Sequence, residues 1–268
     1  MDTNNIVKAS SPVFEGDKVY HLQLKKGDVP GYVIMPGSPE RTEKIAQNWE
    51  DVENIAYNRQ YKTITGKYKG VPLATTSTGV GATSAEICIN ELHRVGMHTC
   101  IRVGTTGCID ANYDIADLII PVACIRKDGT SICYAEPEFP SFADTRVVLA
   151  LVEACERLGY KYGLALEYTP GSFYLGQGRP LNDNGSGYWP SWADKIVPDL
   201  QQKKVINVEM DTAGLFVVAY LHEVRMGAIL TVVANRVLNT WGYKDGEEKA
   251  CLVACEAMKI LAEWDEKK

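Results

Sequence analysis

Short apolar runs alternate with longer segments of helical periodicity along most of this chain. The runs are short enough for β-strands, and the periodic segments are long enough for α-helices. This alternation predicts an α/β fold with a central sheet flanked by helices. The predicted strands span residues 32–35, 73–77, 100–103, 118–122, 163–168, 205–208 and 228–233. The predicted helices span 39–48, 82–95, 145–158, 211–222 and 247–264.

One segment departs from the α/β alternation. Residues 61–68, with Gly66 and Gly70, indicate an antiparallel hairpin and therefore a mixed sheet. Since no repeat or linker divides the chain, we predict a single domain over 19–268. A polar N-terminal arm at 1–18 precedes it, and the sequence leaves open whether this arm is ordered. The polar, turn-rich segment 179–204 predicts an insertion or lid beside a site.

Charge and composition limit the partners that this chain of 268 residues can have. The net charge of −6 argues against a nucleic-acid partner, because nucleic acids favour a basic face. No apolar run is long enough to cross a membrane, and no secretory signal is apparent, so we expect a cytoplasmic location without membrane contact. The eight cysteines lie in apolar segments without a C-x-x-C pair. We therefore expect buried thiols, with neither zinc nor disulfides.

Three glycine-rich turns follow predicted strands, and two of them contain an arginine. In the first, Gly37 leads into a helix that Ser38 can cap and that Pro39 can begin. The unpaired N–H groups of such a helix start bind anions, and Arg41 would add positive charge. The second turn spans 77–81, and the third follows Arg102 in the run 102–107.

Arg102 lies inside an otherwise apolar strand. A buried charge costs several kcal/mol unless it is paired, on the order given for desolvated ions, so Arg102 requires an anion. The sequence leaves two alternatives open, namely a bound ligand and an internal carboxylate. The glycine turns alone could equally be tight turns without a ligand. None of them is a dinucleotide or Walker motif, which argues against a nucleotide cofactor.

The segments VYHLQLKKGDV, MPGSPERTEKI, STGVGATSAEICINEL, IRVGTTGCI, GSFYLGQGR, VEM and VANR occur in the order found in uridine phosphorylases. The chain resembles this family of the nucleoside phosphorylase superfamily from about residue 19 to about residue 262. The resemblance implies a mixed-sheet α/β fold. It also implies a homodimer as the smallest active unit and leaves a hexamer built from dimers open.

The resemblance assigns the phosphate ligands residue by residue. Its phosphate ligands are Gly37, Arg41, Arg102 and Thr105, together with Arg59 donated across a dimer interface. His21 resembles a histidine that reaches the ribose 5′-hydroxyl of the neighbouring subunit, although the position alone fits a surface histidine. The cradle of arginines would neutralise inorganic phosphate.

The nucleoside ligands follow from the same resemblance. The base would contact Thr106, Gly107, Phe173, Gln177, Arg179 and Arg236, and the ribose would contact His21, Thr105, Glu209, Met210 and Asp211. An amide such as Gln177 can accept from uracil N3–H and donate to a carbonyl, while Arg179 can donate to O4. By pattern alone, Phe173 fits a core residue and the Gln177–Arg179 segment fits a solvated turn.

Two positions depart from the pattern of relatives. The family has glutamate where this chain has Asp211, which is one methylene shorter and could also be a plain helix cap. Gln60 replaces the glutamate with which some members hold potassium, so we predict no metal and no cofactor. Purine-specific members carry an acidic aspartate where this chain has Asn235, and an amide cannot serve as a general acid.

The resemblance therefore implies reversible phosphorolysis of uridine to uracil and ribose 1-phosphate, a pentosyltransferase reaction of pyrimidine salvage. Arg102, Gln177 and Arg179 would carry the catalysis by placing charge where it develops. Three alternatives remain at this point: a purine nucleoside phosphorylase, a nucleosidase, and a non-catalytic nucleoside-binding protein.

Overall fold

Parallel and antiparallel strands combine in one large sheet. The computed structural model describes residues 13–14, 16–182 and 184–267. In chain order the strands are β1 (Val13–Phe14), β2 (Lys18–Val19), β3 (Tyr32–Pro36), β4 (Glu50–Asn58), β5 (Tyr61–Tyr68), β6 (Val71–Thr76), β7 (Thr99–Cys108), β8 (Leu118–Lys127), β9 (Ser141–Phe142), β10 (Tyr162–Pro170), β11 (Asn207–Val208), β12 (Arg225–Asn235) and β13 (Thr240–Trp241). The helices are α1 (Pro39–Ala46), α2 (Ala82–Val95), α3 (Thr145–Leu158), α4 (Ile196–Gln202), α5 (Thr212–Leu221) and α6 (Gly246–Glu266), with short 3-10 turns at Ser131–Cys133, Leu175–Gln177 and Ala193–Lys195.

Part of the large sheet closes on itself. Its order is β13-β12-β8-β10-β11-β7-β3-β6-β5-β4, with β9 beside β8, and β12 also pairs with β7. Strands β7, β12, β8, β10 and β11 therefore form a closed ring. The β3–β7, β3–β6 and β7–β12 pairs are parallel, whereas the β4–β5 and β5–β6 pairs are antiparallel. The prediction of a mixed sheet is confirmed.

One edge of β7 changes its partner halfway along the strand. Its first half, from Thr99 to Val103, pairs with β3, and its end, at Gly107 and Cys108, pairs with β11. Between these two pairings the edge opens. Ligand sites of α/β folds form where neighbouring strands diverge at their carboxyl ends, so this opening is where the topology places a site.

Helices cover both faces of the sheet. Helices α2 and α5 pack together on one face, while α6 packs against α1 and α3 on the other. Alternate residues of β3 belong to the two cores, because Val33 and Met35 lie in the first and Ile34 lies in the second. This alternation is the pattern of a strand that is buried on both faces. Across the described residues, no helix combines the length and apolar content needed to cross a bilayer.

The predicted elements are confirmed with shifted ends. The elements that were not predicted are strands β1, β2, β4, β9 and β13 and helix α4. Strand β4 escapes the pattern because most of its residues are exposed and polar. The run predicted at 205–208 is a strand only at Asn207–Val208. The interpretation of all cysteines as buried is wrong for Cys133, which is exposed in a 3-10 turn, whereas the other seven are buried.

The described parts of two predicted segments, the arm at 1–18 and the insertion at 179–204, lie outside the large sheet. Most of the predicted arm at 1–18 lies outside the described residues, and β1 and β2 pair as a short antiparallel ribbon near its end. The predicted insertion at 179–204 contains α4 and the Ala193–Lys195 turn, preceded by exposed residues around Tyr188. The interpretation of this segment as an insertion or lid beside a site remains a prediction.

Candidate active site

A cavity of about 760 Å³ lies at the opening beside β7. Its lining comes from the carboxyl ends of β3, β6, β7, β11 and β12, from the loops that follow these strands and β10, and from the turn between β4 and β5. The predicted site residues that line it are Gly37, Arg41, Arg102, Thr105, Thr106, Gly107, Phe173, Gln177, Arg179, Glu209, Met210 and Asp211. The predicted residues that do not line the cavity of their own chain are His21, Arg59 and Arg236.

Two glycine turns form the floor beside Arg41. The backbone N–H of Gly79 donates to the carbonyl of Gly37 at 2.9 Å, which ties the turn after β6 to the turn after β3. Gly79 has a φ of 74°, and a Cβ there would lie 2.6 Å from Ser84 Oγ. Ser38 caps α1 as predicted, accepting from the N–H of Arg41 at 3.4 Å. The glycines thus allow two loops to meet where a side chain would separate them.

Arg102 is buried and paired with carboxylates of its own chain. Its Nη2 donates to Glu209 at 2.8 Å and also to Asp211, and its Nε donates to Glu209 at 3.2 Å. The internal-carboxylate alternative is therefore realised. The remaining nitrogen, Nη1, is buried and has no hydrogen-bond partner among the described residues. Arg102 therefore keeps one donor for a ligand.

Gly104 makes room for this guanidinium. A Cβ at Gly104 would lie 3.2 Å from Arg102 Nη2 and 2.7 Å from Leu230 Cδ2. A larger residue would force the guanidinium or the neighbouring strand to move. The glycine after the arginine is therefore required by packing.

Glu209 and Asp211 have different tasks although they are two residues apart. Glu209 lines the cavity, but its Oε1 accepts from the N–H groups of Asp211 and Thr212, and its Oε2 accepts from Arg102. The motif predicts Glu209 as a ribose ligand, yet both its oxygens are occupied in holding Arg102 and the start of α5. Burial would raise the pKa of Glu209, but the Arg102 charge and these hydrogen bonds hold it below its usual value.

Asp211 keeps a carboxylate oxygen available. Its Oδ2 contacts Arg102, while Oδ1 is buried without a partner in the described part of the chain. Asp211 precedes α5 but makes no capping hydrogen bond, so the interpretation as a plain cap is wrong. Burial raises its pKa to about 7, and the Glu209 charge adds to this rise while Arg102 opposes it. Asp211 is thus an acceptor that lies at the cavity wall.

Arg41 is also held by an internal carboxylate. Its Nη2 donates to Glu247 of α6 at 2.6 Å, and Lys44 contacts the same carboxylate at 2.8 Å. Arg41 Nε is buried with no partner within the described ranges. The sequence did not indicate Glu247, because it lies more than 200 positions from Arg41 at the start of a predicted helix. Only packing of α6 beside α1 brings them together.

Arg179, Phe173 and Gln177 form a second wall. The Arg179 guanidinium lies 4.7 Å from the centroid of the Phe173 ring, and its Nε donates to Gln177 Oε1 at 3.3 Å. Gly107 lies against the same guanidinium, since a Cβ there would be 3.4 Å from Arg179 Nη2. Burial lowers the pKa of Arg179. Arg179 is thus a partly desolvated cation that Phe173 stabilises.

Arg236 lies behind this wall. Its guanidinium donates to the backbone carbonyl of Gln177 and, at 2.8 Å, to that of Gly178. The sequence assigned Arg236 to the base-binding residues. In the structure Arg236 instead supports the loop that carries Gln177, because its donors already bind that loop.

Asn235 is occupied by the loop around it. Its amide donates to the carbonyls of Asp110 and Tyr113, and its Oδ1 accepts from the N–H groups of Val237 and Leu238. The side chain is buried and does not line the cavity. It therefore fixes the β12–β13 turn and contacts no substrate from this position.

His21 and Arg59 lie beside the cavity rim. His21 lies partly exposed in a turn, and its Nδ1 contacts Glu91 Oε1 at 2.7 Å. Arg59 lies 6.0 Å from the ring of Tyr20, the residue before His21. Gln60, which follows Arg59, does line the cavity. The two predicted interface residues thus cluster on one surface, outside their own cavity.

Several cavity residues were not predicted. Gln60, Val80, Ser84, Trp241 and Tyr243 line it, and the two aromatic residues are 66% and 50% exposed. Trp241 and Tyr243 follow the β12 turn, where the sequence gives no periodic signal. Both side chains are exposed at the mouth of the cavity, which a bound ligand or a second subunit would cover.

The chain is similar to known proteins over most of its length. Residues 32–263 match the model of the Phosphorylase superfamily. The chain is 50% identical to a uridine phosphorylase of Thermococcus kodakarensis over 98% of this chain and 93% of that protein. It is 35% identical to one of Treponema pallidum over 94% and 98%, and 33% identical to one of Escherichia coli over 91% and 98%.

The chain therefore belongs to the phosphorylase superfamily. Within it, the similarity extends over nearly the full length of three uridine phosphorylases, so the resemblance to the uridine phosphorylases that the motifs indicate is confirmed.

Proposed function

We propose that this chain is a uridine phosphorylase, which transfers the ribosyl group of uridine to inorganic phosphate. One observation carries the proposal. The Arg102 guanidinium lies against Gly104 and that of Arg179 lies against Gly107, three residues further along β7 in the same cavity. Three strand residues span about 10 Å. Two guanidinium groups that lie against positions this far apart on β7 suit a phosphate on one side of a ribose and a base on the other.

Phosphate binds at the end that Arg41 and Arg102 form. Each of these arginines has one buried nitrogen without a partner in the described residues, and each is oriented by a carboxylate of another element. The Gly37 turn supplies backbone groups beside them. The carboxylates reduce the positive charge from this chain, so the phosphate needs the additional cation that Arg59 of a second subunit would bring.

Arg179 stabilises the departing base. The glycosidic bond stretches first, and its electron pair moves onto uracil while C1′ gains positive character. Arg179 and the Gln177 amide hydrogen-bond the uracil edge and stabilise this charge without a general acid. A phosphate oxygen then bonds to C1′. The proton that monohydrogen phosphate loses on becoming an ester balances the proton that uracil gains.

Ribose recognition centres on Asp211 and Met210. The unpartnered Oδ1 of Asp211 accepts from a ribose hydroxyl, and Met210 packs against the sugar. Glu209 contributes indirectly, because it fixes the position of Arg102 and of the helix start. Asp211 is one methylene shorter than the glutamate of the family, and this shorter side chain is still compatible with a direct contact to the ribose.

Identity to uridine phosphorylases supports this function over a purine phosphorylase. The engaged amide of Asn235 offers no acid for a purine nitrogen. A nucleosidase would activate water and has no need of two arginines with free donors at one cavity end. A non-catalytic binding protein has no need of a desolvated cation such as Arg179 at the leaving-group end.

The decisive experiment is an ultraviolet assay of uridine, thymidine, inosine and adenosine, each with and without phosphate. We expect phosphate-dependent cleavage with uridine as the preferred substrate. Uridine cleavage without phosphate, or a preference for inosine over uridine, would contradict the proposal.

The assembly is part of the proposal. We propose a homodimer as the smallest active unit, with a hexamer of dimers still open, because His21 and Arg59 lie outside the cavity of their own chain. The arm at 1–18, the lack of a metal or cofactor and the cytoplasmic location remain predictions.

A further inference from the structure

A glutamate outside the predicted site is the most deeply buried acid next to it. Glu167 of β10 has no exposed surface. In the strand register it lies beside Cys124 of β8 and Asn207 of β11, inside the closed ring. No motif singled it out, because a single acid in a predicted strand carries no pattern.

The groups that donate hydrogen bonds to Glu167 are neutral. Its Oε2 accepts from the Asn207 amide at 2.7 Å. Its Oε1 accepts from the Thr169 hydroxyl at 3.0 Å and from the Cys124 thiol at 3.6 Å. No hydrogen bond joins it to a cation within the described ranges. A buried carboxylate without a cation is costly, and such a group keeps its proton.

The neighbouring charges strengthen this conclusion. Arg102 already faces two carboxylates, Glu209 and Asp211, so a third anion would be uncompensated. Burial raises the pKa of Glu167 well above its usual value, and the negative charge of Glu209 raises it further. Carboxyl groups that share a site do not all ionise together.

Glu167 is linked to the cavity through one side chain. The Asn207 amide that donates to Glu167 also donates to the Thr106 hydroxyl at 3.0 Å. That hydroxyl donates in turn to the carbonyl of Val208 at 2.9 Å, and both Thr106 and Val208 line the cavity. A change at Glu167 should therefore alter the positions of Thr106 and Val208 at the nucleoside side of the cavity.

We propose that Glu167 is a neutral positioning residue, which holds Asn207 so that Thr106 and Val208 keep their places beside the nucleoside. It touches neither substrate. It acts by orienting the wall, and its protonated state leaves Glu209 free to hold Arg102. The kinetic part of this inference rests on the proposed function, whereas the protonation state does not.

The first test compares Glu167→Gln with Glu256→Gln. Glutamine reproduces a neutral carboxyl in size and charge, so Glu167→Gln should leave the Tm at pH 8 unchanged. Glu256 is also buried but is ionised, with its pKa lowered by Lys69 against the effect of burial. Glu256→Gln should therefore lower the Tm. A loss at Glu167 as large as that at Glu256 would overturn the neutral state.

Infrared difference spectra test the proton directly. At about pH 8 Asp211 is mostly ionised, since its pKa is about 7. The wild-type chain should still show the carbonyl stretch of a protonated carboxylic acid, and Glu167→Gln should lack it. An identical spectrum in the two proteins would refute the proposal, whatever the enzyme assay shows.

Kinetics test the positioning role. Glu167→Leu removes the acceptor for Asn207 and should raise the nucleoside KM about tenfold, the effect of one lost hydrogen bond, with the phosphate KM unchanged. Glu167→Gln should keep both values within about twofold, because an amide oxygen replaces the acceptor. An unchanged nucleoside KM in Glu167→Leu, or equal rises in both KM values, would contradict the role. Absence of any phosphorolysis in the wild-type chain would instead refute the proposed function.

Discussion

At the scale of single residues, buried charges are balanced before any substrate arrives. Arg102 is held by Glu209 and Asp211, and Arg41 is held by Glu247. Each pairing fixes a guanidinium that would otherwise be costly to bury, because removing one partner from a buried pair leaves an uncompensated charge. The same pairings leave one nitrogen of each arginine for a ligand.

Asp211→Asn should separate binding from stability. With ionised Asp211 as the ribose acceptor, kcat/KM for uridine should rise through about pH 7 and level off above it. The variant should lose this rise and at least about tenfold in kcat/KM at pH 8, as expected for a lost hydrogen bond to a charged group. Asp245→Asn, an exposed aspartate before α6, serves as the control. An unaltered pH profile in Asp211→Asn would contradict the assignment.

The stability of the same variant should move in the opposite direction. The folded chain keeps a proton on Asp211 up to its pKa of about 7, whereas the unfolded chain loses it near the ordinary aspartate pKa of 3.8. The contribution of this group to the free energy of unfolding therefore declines as the pH rises across that interval. Asp211→Asn removes the decline and should raise the Tm at pH 8. Thermal unfolding at pH 5 and pH 8 checks this, and a lower Tm at pH 8 would count against it.

Arg179→Gln should affect chemistry more than phosphate binding. Arg179 lies against Phe173 and Gly107, on the wall assigned to the base, so its loss removes stabilisation of charge on uracil. Loss of one such donor typically costs about 100-fold or more in kcat. Steady-state kinetics with each substrate varied would measure it. If the only defect of the variant were a higher phosphate KM, Arg179 would act at the phosphate end of the cavity, and its assignment to the base wall would be wrong.

At the scale of elements, the site depends on how β7 is flanked. Strand β3 pairs with its first half and β11 with its end, so the cavity opens between them. Helix α6 supplies Glu247 to this region at its start. Its other end is anchored by Asp265, which accepts from Arg225 at 2.6 Å and 2.9 Å and from Tyr32 at 2.7 Å.

Asp265→Asn should loosen the end of α6. Hydrogen bonding from Arg225 lowers the pKa of Asp265 to about 2, against the raising effect of burial. Because the folded pKa is depressed, this stabilisation is complete above about pH 4 and is lost as the pH falls towards 2. At pH 7 the variant should lose about 1–3 kcal/mol in the free energy of unfolding. Glu266→Gln, at an exposed position of the same helix end, is the control for urea unfolding.

At the scale of the whole molecule, the proposal is that a second subunit completes the site. His21 and Arg59 lie together on a surface beside the rim, and Trp241 and Tyr243 at the mouth are largely exposed. A two-fold dimer would place each His21–Arg59 surface against the cavity of the partner, because a closed dimer uses the same patch on both subunits.

Subunit complementation tests this arrangement. Arg59→Ala and Arg179→Ala should each be nearly inactive alone. Co-expressed in equal amounts, they should recover about a quarter of wild-type activity, because half of the dimers are mixed and each mixed dimer has one intact site. The control is co-expression of Arg59→Ala with Asp245→Asn, which should behave like the wild type. This control measures how forming mixed dimers alone changes the activity. No recovery would show that Arg59 acts within its own chain.

The sequence alone determined the α/β alternation and the glycine turns, because periodicity and backbone freedom are local properties. It also indicated the phosphate arginines, since a cation inside an apolar strand must meet an anion. It missed β4, whose exposed residues leave no apolar pattern, and it could not choose between a ligand and a carboxylate for Arg102. The second omission concerns contacts between distant parts of the chain, because Glu209 and Asp211 lie more than 100 positions after Arg102.

Tertiary structure alone decided which charges meet. Glu247 reaches Arg41 only because α6 packs beside α1, and Glu167 lies near Glu209 only because β10 pairs with β11. It also assigned Arg236 and Asn235 to the support of loops. The physical reason is that burial and pairing set the cost of a charge, and both depend on neighbours that are remote in the sequence.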